Sequence, residues 1–218
     1  MYWENLERPW QEAFLQGWIS FCNGSVPIGC VICNQNGEIL VKGRNQIKEK
    51  YFPNYKVAHA EAIAVQSLDL QVHGDPHGFI VYACMEPCPM CFGTIVMGNI
   101  RTIKIAARDA YAGAAGMTEF SDYVKSKNMK IVFEPGILGA IQITIQIYYE
   151  IKNHPVHSKV VIDKIAVEYN TSFRLAKELF AINYLENAIA NNVPFHSIFE
   201  EICVRLTEMD GQVAQYSI

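Results

Sequence analysis

The segment MEPCPMC, residues 85–91, sets Cys88 and Cys91 three apart, each directly after a proline. Such a pair serves a structural zinc knuckle, a redox dithiol or part of a catalytic metal site, and the spacing alone does not choose among them. Upstream, in AHAEA, stand His59 and Glu61, so the chain reads H-A-E, a gap of 25 residues, then P-C-P-M-C. One imidazole and two thiolates make three ligands suited to zinc. On the first turn of a helix Cys88 and Cys91 would share one face, where the positive end of the helix dipole favours both as thiolates. Pro87 suits such a start, because the N–H it lacks would have had no partner there. A structural zinc site closes with four ligands, and no fourth Cys or His stands at a convincing spacing; a redox pair has no use for H-x-E. Three ligands leave a position for a water molecule whose pKa falls toward neutrality. Glu61, two residues past the histidine, would sit beside that water and carry its proton to the substrate.

The elements that must position these residues follow from periodicity. Trp10, Phe14, Trp18 and Phe21 recur at helical spacing between about Pro9 and Cys22. VPIGCVIC, the turn NQNG and EILVKGRN read as a β-hairpin. Within it Cys30 and Cys33 form a second C-x-x-C, but on a strand they face opposite sides of a sheet and read as small core residues. AHAEAIAVQSL is helical, GFIVYAC a buried strand, CPMCFGTIVMGN a helix, and RTIKIAA and MKIVFEP are strands. PGILGAIQITIQIYYEIKN returns to helical periodicity. The alternation implies an α/β domain whose helices cover a mixed sheet, assigned to residues 1–152. Beyond it the strand signal fades, and 153–218 reads as a helical extension. There Ser158 caps a helix toward Tyr169, NTS at 170–172 is a break with a fresh cap, and FRLAKELFAINYLENAIA is one helical run. Pro194 opens a last helix with Phe195, Ile198, Phe199, Ile202 and Leu206 on one face.

Composition bounds the function. Half of the 218 residues are hydrophobic and 18% are charged, enough for a sizeable core. The net charge of −4 is evenly spread, with 12 Lys and Arg against 14 Asp and Glu in residues 1–150 and 6 against 8 in 151–218. No basic block advertises a polyanionic partner. The opening MYWENLERPWQEAF lacks the basic start and apolar core of a secretory signal, and the longest apolar stretch, GILGAIQITIQIYY, is too short and too rich in Gln to span a bilayer. Seven cysteines, an odd number, favour reduced thiols and a cytoplasmic location over a disulfide framework.

H-x-E followed by P-C-x-x-C is the established signature of zinc-dependent nucleobase deaminases. Over roughly residues 8–150 the chain resembles the cytidine and deoxycytidylate deaminase superfamily, in the branch of bacterial tRNA adenosine deaminases and guanine deaminases. VPIGCVIC resembles that branch's V-P-V-G-A-V-I-V strand, GRN its G-x-N, AHAEAIAV its zinc-histidine helix, MEPCPMCFGTI its cysteine helix, and ARDAYAGAAG its A-R-D-x-K-x-G-A-A-G segment. The resemblance implies a three-layer α/β/α fold around a five-stranded mixed sheet, one Zn2+ per chain on His59, Cys88 and Cys91, Glu61 as the catalytic proton carrier, and usually a homodimer. It also implies that Asn45 hydrogen-bonds the base or sugar. The N–H of Ala60 would contact the ring, and the carbonyl of Glu86 would receive the leaving amine.

Departures from the pattern bear on the substrate. YKVAHAE replaces D-P-T-A-H-A-E, Tyr111 takes the place of the lysine after A-R-D-x, the segment closes AAGM, and Cys84-Met85 replaces Thr-Leu. EPCPMC is at home among guanine deaminases. Losing a loop lysine weakens phosphate contact, so a free purine-type nucleobase or nucleoside is favoured over adenosine in tRNA. A catalytically inactive binding module is the rival of a different class. The remaining histidines are read as linker or loop residues: His154 and His157 in NHPVHS, His73 and His77 near GDPHG. Tyr169, Phe173, Phe180, Tyr184, Phe195 and Phe199 are read as packing residues. IAVEYNTSFRLAKELF faintly resembles a helix-turn-helix, with only Lys164, Arg174 and Lys177 as basic groups.

Overall fold

Strand β1, Gly29–Cys33, is buried at every position. It pairs antiparallel with β2, Ile39–Arg44, on one side and with β3, Ile80–Met85, on the other. Strands β4, Thr102–Ala107, and β5, Lys130–Phe133, continue in parallel from β3. The order β2-β1-β3-β4-β5 is therefore a five-stranded mixed sheet, as expected. The computed structural model describes residues 2–153 and 159–210. Ser158, His154 and His157 lie outside the described residues.

Side-chain alternation splits the sheet into two faces. On one, Cys30, Ile32, Val81, Ala83, Ile103 and Ile105 join a buried cluster with Ala60 and Ala64 of helix α2, Ala60–Gln66, and with Phe92 and Ile95 of helix α3, Pro89–Met97. On the other lies helix α1, Arg8–Cys22. There Trp10 meets the ring of Tyr82 edge-on at 5.1 Å, and Glu7 binds both the Tyr82 hydroxyl at 2.9 Å and the Lys104 ammonium at 3.2 Å. Cys30 and Cys33 are each fully buried, on opposite faces, and desolvation pushes the Cys33 thiol up to about 12. They are core residues.

Two glycines let the helices lie this close. A Cβ on Gly43 of β2 would overlap the Ala60 carbonyl and the Ala64 amide of α2, and one on Gly29 of β1 would overlap the Ala13 carbonyl of α1. Both obstacles are backbone, so neither can step aside cheaply.

By contact the chain divides into two units, one Glu7–Glu134 and the other joining Met1–Leu6 to Pro135–Ile218. This division differs from the 152/153 boundary drawn from the sequence. Helix α4, Ile137–Asn153, groups with the helices that follow it, packing chiefly on α6, Asn170–Ala181. Around them stand α5, Lys159–Glu168, α7, Tyr184–Ala190, and α8, Phe195–Asp210. The N-terminal turn Tyr2–Asn5 belongs here too: Trp3 lies edge-on to Phe195 and Phe199, and its N–H donates to Glu200 at 2.7 Å. Phe195 and Phe199 are buried, as packing residues should be.

Two local expectations need correction. The run 173–190 is two helices, because Asn183 adopts φ 49, ψ 40, a left-handed conformation that asparagine tolerates and a helix does not. NTS supplies no cap either: Tyr169 is the N-cap of α6, and the Ser172 hydroxyl donates to the Ala140 carbonyl at 3.0 Å.

Gly43→Ala should push α2 off the sheet and cost about 1–3 kcal/mol of stability. Gly93→Ala on α3, where an added methyl meets nothing within 4 Å, should be neutral or stabilising. Urea midpoints of the two variants check the contrast.

Candidate metal centre

His59 is the N-cap of α2 and Cys88 the N-cap of α3, with Cys91 on the first turn of α3. The same face of the sheet carries both helices, so their starts converge. The His59 ring nitrogen, Cys88 Sγ and Cys91 Sγ all lie within 4.8 Å of one another, and His59 Nδ1 is 3.6 Å from Cys88 Sγ. Among the described residues no other group of three metal-ligating side chains converges in this way.

The electrostatics fit a cation. A hydrogen bond from Cys91 and one from His59 hold the Cys88 thiol down at about 4, while Cys91, which gives that bond from a buried site, is pushed up. The His59 imidazole is raised, first by its bond to Cys88, and a further bond to the backbone of Lys56 orients the ring. The three donors thus already hydrogen-bond to one another in a space where a divalent ion would take the place of a proton. One imidazole and two thiolates match the donor preferences of zinc, and the carbonyl bond to a ligating ring is the usual support for such a histidine. The residues fit the ion.

Glu61 is 4% exposed, and burial raises its carboxyl above the usual range, opposed by hydrogen bonds to its own backbone and to Cys91. A carboxyl tuned toward neutrality beside a metal centre is suited to taking and giving a proton. Ala60 stands between His59 and Glu61 and is fully buried.

Asn45, at the end of β2, is 2% exposed. Its carbonyl accepts from the Ser20 hydroxyl at 2.8 Å and its side-chain oxygen from the Ile47 N–H at 3.2 Å. The neighbouring Gln46 N–H reaches the Ala58 carbonyl, one residue before His59, which ties this turn to the start of α2.

Glu86 holds what the sequence did not reveal. Its carboxylate is buried and accepts two backbone N–H bonds, from Asp109 at 3.1 Å and Ala115 at 2.9 Å. The only sequence hint was a glutamate before P-C, directly after an apolar strand.

The cytidine and deoxycytidylate deaminase zinc-binding region matches residues 4–107. The tRNA-specific adenosine deaminase of Rickettsia felis is 31% identical over 106 residues, 48% of this chain and 72% of that one. The chain belongs to this deaminase family. It is therefore a zinc-dependent hydrolytic deaminase by descent. A protein crystallised with 2,6-diaminopurine shares the fold, at TM-score 0.52 and 18% identity over 69% of this chain and 86% of that one. The guanine deaminase of Bacillus subtilis is 30% identical over 48% of this chain and 66% of that one, with TM-score 0.42.

Elemental analysis of purified protein should find zinc. His59→Ala, Cys88→Ala and Cys91→Ala should each lower zinc affinity at least about a hundredfold, since each removes a whole ligand where loss of a mere supporting partner costs 10–100-fold. Undiminished zinc in all three variants would place the ion elsewhere.

Proposed function

We propose that this chain removes the exocyclic amine of a purine-type nucleobase or nucleoside, guanine or adenine/adenosine, by hydrolysis. His59, Cys88 and Cys91 would hold the zinc, which when bound lowers the pKa of a coordinated water and so supplies a nucleophile at neutral pH. Glu61 takes one proton from the attacking water and passes it to a ring nitrogen, then takes the second from the new hydroxyl and passes it to the departing amine. The water oxygen forms a bond to the ring carbon, the C–N bond breaks, and ammonia leaves. Asn45 and the Ala60 N–H hold the base, and the Glu86 carbonyl accepts from the leaving amine. The observation that carries this reading is the convergence of His59, Cys88 and Cys91, with the buried Glu61 carboxyl two residues from that histidine.

One feature favours a second reading, adenosine in tRNA. The segment 46–58, which runs straight into His59, exposes Lys48, Lys50 and Lys56 among Tyr51, Phe52 and Tyr55. The charge of Glu49 is taken up by Arg44. Lysines interleaved with aromatics are what a single-stranded nucleic acid stacks and neutralises against. A homodimer and a cytoplasmic location belong to the same proposal. An odd number of cysteines, seven, supports the latter, and no helix among the described residues is long and apolar enough to cross a membrane.

Ammonia release should be assayed on guanine, adenine, adenosine and tRNA. Turnover of a free base or nucleoside supports the first reading; turnover of tRNA alone supports the second. Glu61→Gln should retain zinc and lose about 10²–10⁴-fold in kcat. A wild type that releases no ammonia from any of them would leave a binding module.

A further inference from the structure

We propose that the carboxylate of Glu86 is a positioning residue that clamps the 108–116 loop against the start of α3 and so shapes the mouth of the substrate pocket. The proposal rests on the deaminase reading above. Strands β3 and β4 are parallel neighbours, and in such sheets ligands bind beyond the carboxyl ends of the strands. Beyond β3 come Glu86, Pro87 and Cys88; beyond β4 comes RDAYAGAAG.

The loop is tied down at several points that centre on one side chain. Glu86 Oε2 accepts from the Asp109 N–H and Oε1 from the Ala115 N–H, so one carboxylate bridges both ends of the loop. The Ala114 N–H donates to the Pro87 carbonyl at 3.0 Å, one residue from Cys88, and the Glu86 N–H to the Ala107 carbonyl at 2.8 Å. Within the loop, Asp109 Oδ1 accepts from the N–H groups of Tyr111 and Ala112, at 2.9 and 3.0 Å. The Arg108 guanidinium lies over the Phe133 ring at 4.3 Å, fixing the loop's entry to β5. Gly113 has no room for a side chain, because a Cβ there would overlap the Glu86 carboxyl and the Asp109 carbonyl. A buried anion accepting two backbone N–H bonds is a strong, charge-assisted anchor. The clamp leaves Tyr111 exposed on the loop. It acts on substrate through the loop, and the role proposed above for the Glu86 backbone carbonyl does not involve this side chain.

Zinc-loaded Glu86→Gln and Gly113→Ala test this against wild type. The first exchanges one acceptor oxygen for a donor, so one of the two N–H groups loses its partner. The second displaces the carboxyl without altering it. In both, amide exchange at Asp109 and Ala115 should quicken by about tenfold or more, the order expected for loss of one charged hydrogen bond. Zinc content should hold, and KM should rise about tenfold with kcat within about threefold, as loss of binding common to ground and transition state requires. Unchanged exchange at both amides overturns the clamp. Loss of zinc, or a fall in kcat at unchanged KM, overturns the positioning role and makes Glu86 part of the metal or proton machinery. Exchange and zinc content are read without turnover, so a wild type inactive on every substrate sinks the functional reading while the clamp is still decided.

Discussion

Two helices start at one point, and the site exists because the sheet allows it. His59 caps α2 and Cys88 caps α3, so the proposed ligands occupy backbone positions that are already fixed by the first helical hydrogen bonds. Neither side chain needs a long, floppy reach. The approach of α2 depends on Gly43, where the strand's backbone and the helix's first turn touch directly. Parallel pairing of β3 with β4 then sends both chains out on the same edge, delivering the cysteines from one and the clamped loop from the other. Backbone proximity, rather than side-chain attraction, is what the centre is built on.

The chemistry-bearing residues were legible because their types and order are rare and because each sits at a predictable place in its element. H-A-E and P-C-P-M-C each stand at a helix start, and the strands and helices along the chain followed from period-two and period-3.6 patterns, whereas the order of the strands in the sheet did not. What was not legible depended on partners far along the chain. The role of the Glu86 carboxylate lies in amides 23 and 29 residues away. The pattern of α4 shows that it is buried on nearly every side but not which helices bury it, so the compact units divide at Glu134 and not at 152. Trp3 meets α8 across 197 residues or so of chain, which no local pattern encodes. Asn183 breaks a helix by a single left-handed residue inside an otherwise helical run.

The two C-x-x-C motifs show how environment decides what the same residues do. Cys30 and Cys33 lie on a strand, point to opposite faces and are kept protonated by desolvation. Cys88 and Cys91 stand at the start of a helix, where their sulfurs come together with the His59 ring, and a hydrogen bond between them lowers the first thiol and raises the second. Period two separates the first pair; period 3.6 unites the second. Cys84, buried in β3 and likewise raised, belongs with the inert group. A cysteine count alone would have given all of them equal weight.

The proposed catalytic half and the proposed recognition half of the site are carried by different kinds of structure. His59, Glu61, Cys88 and Cys91 ride on helices packed into the core, where a shift of an ångström would disturb many buried contacts. The segments 46–58 and 108–116 lie largely outside helices and strands and expose most of their side chains, so changes at exposed positions such as Lys48, Tyr51 or Tyr111 cost little stability. Substrate choice can therefore vary while the hydrolytic step is conserved in kind. Tyr111 and Tyr55, Lys56 and Val57, which depart from the pattern the rest of the chain resembles, fall on those two segments. The same division explains why the motifs specify a reaction and leave the substrate to be argued from surface: the reaction needs fixed atoms, and recognition needs only a rim that those atoms do not constrain.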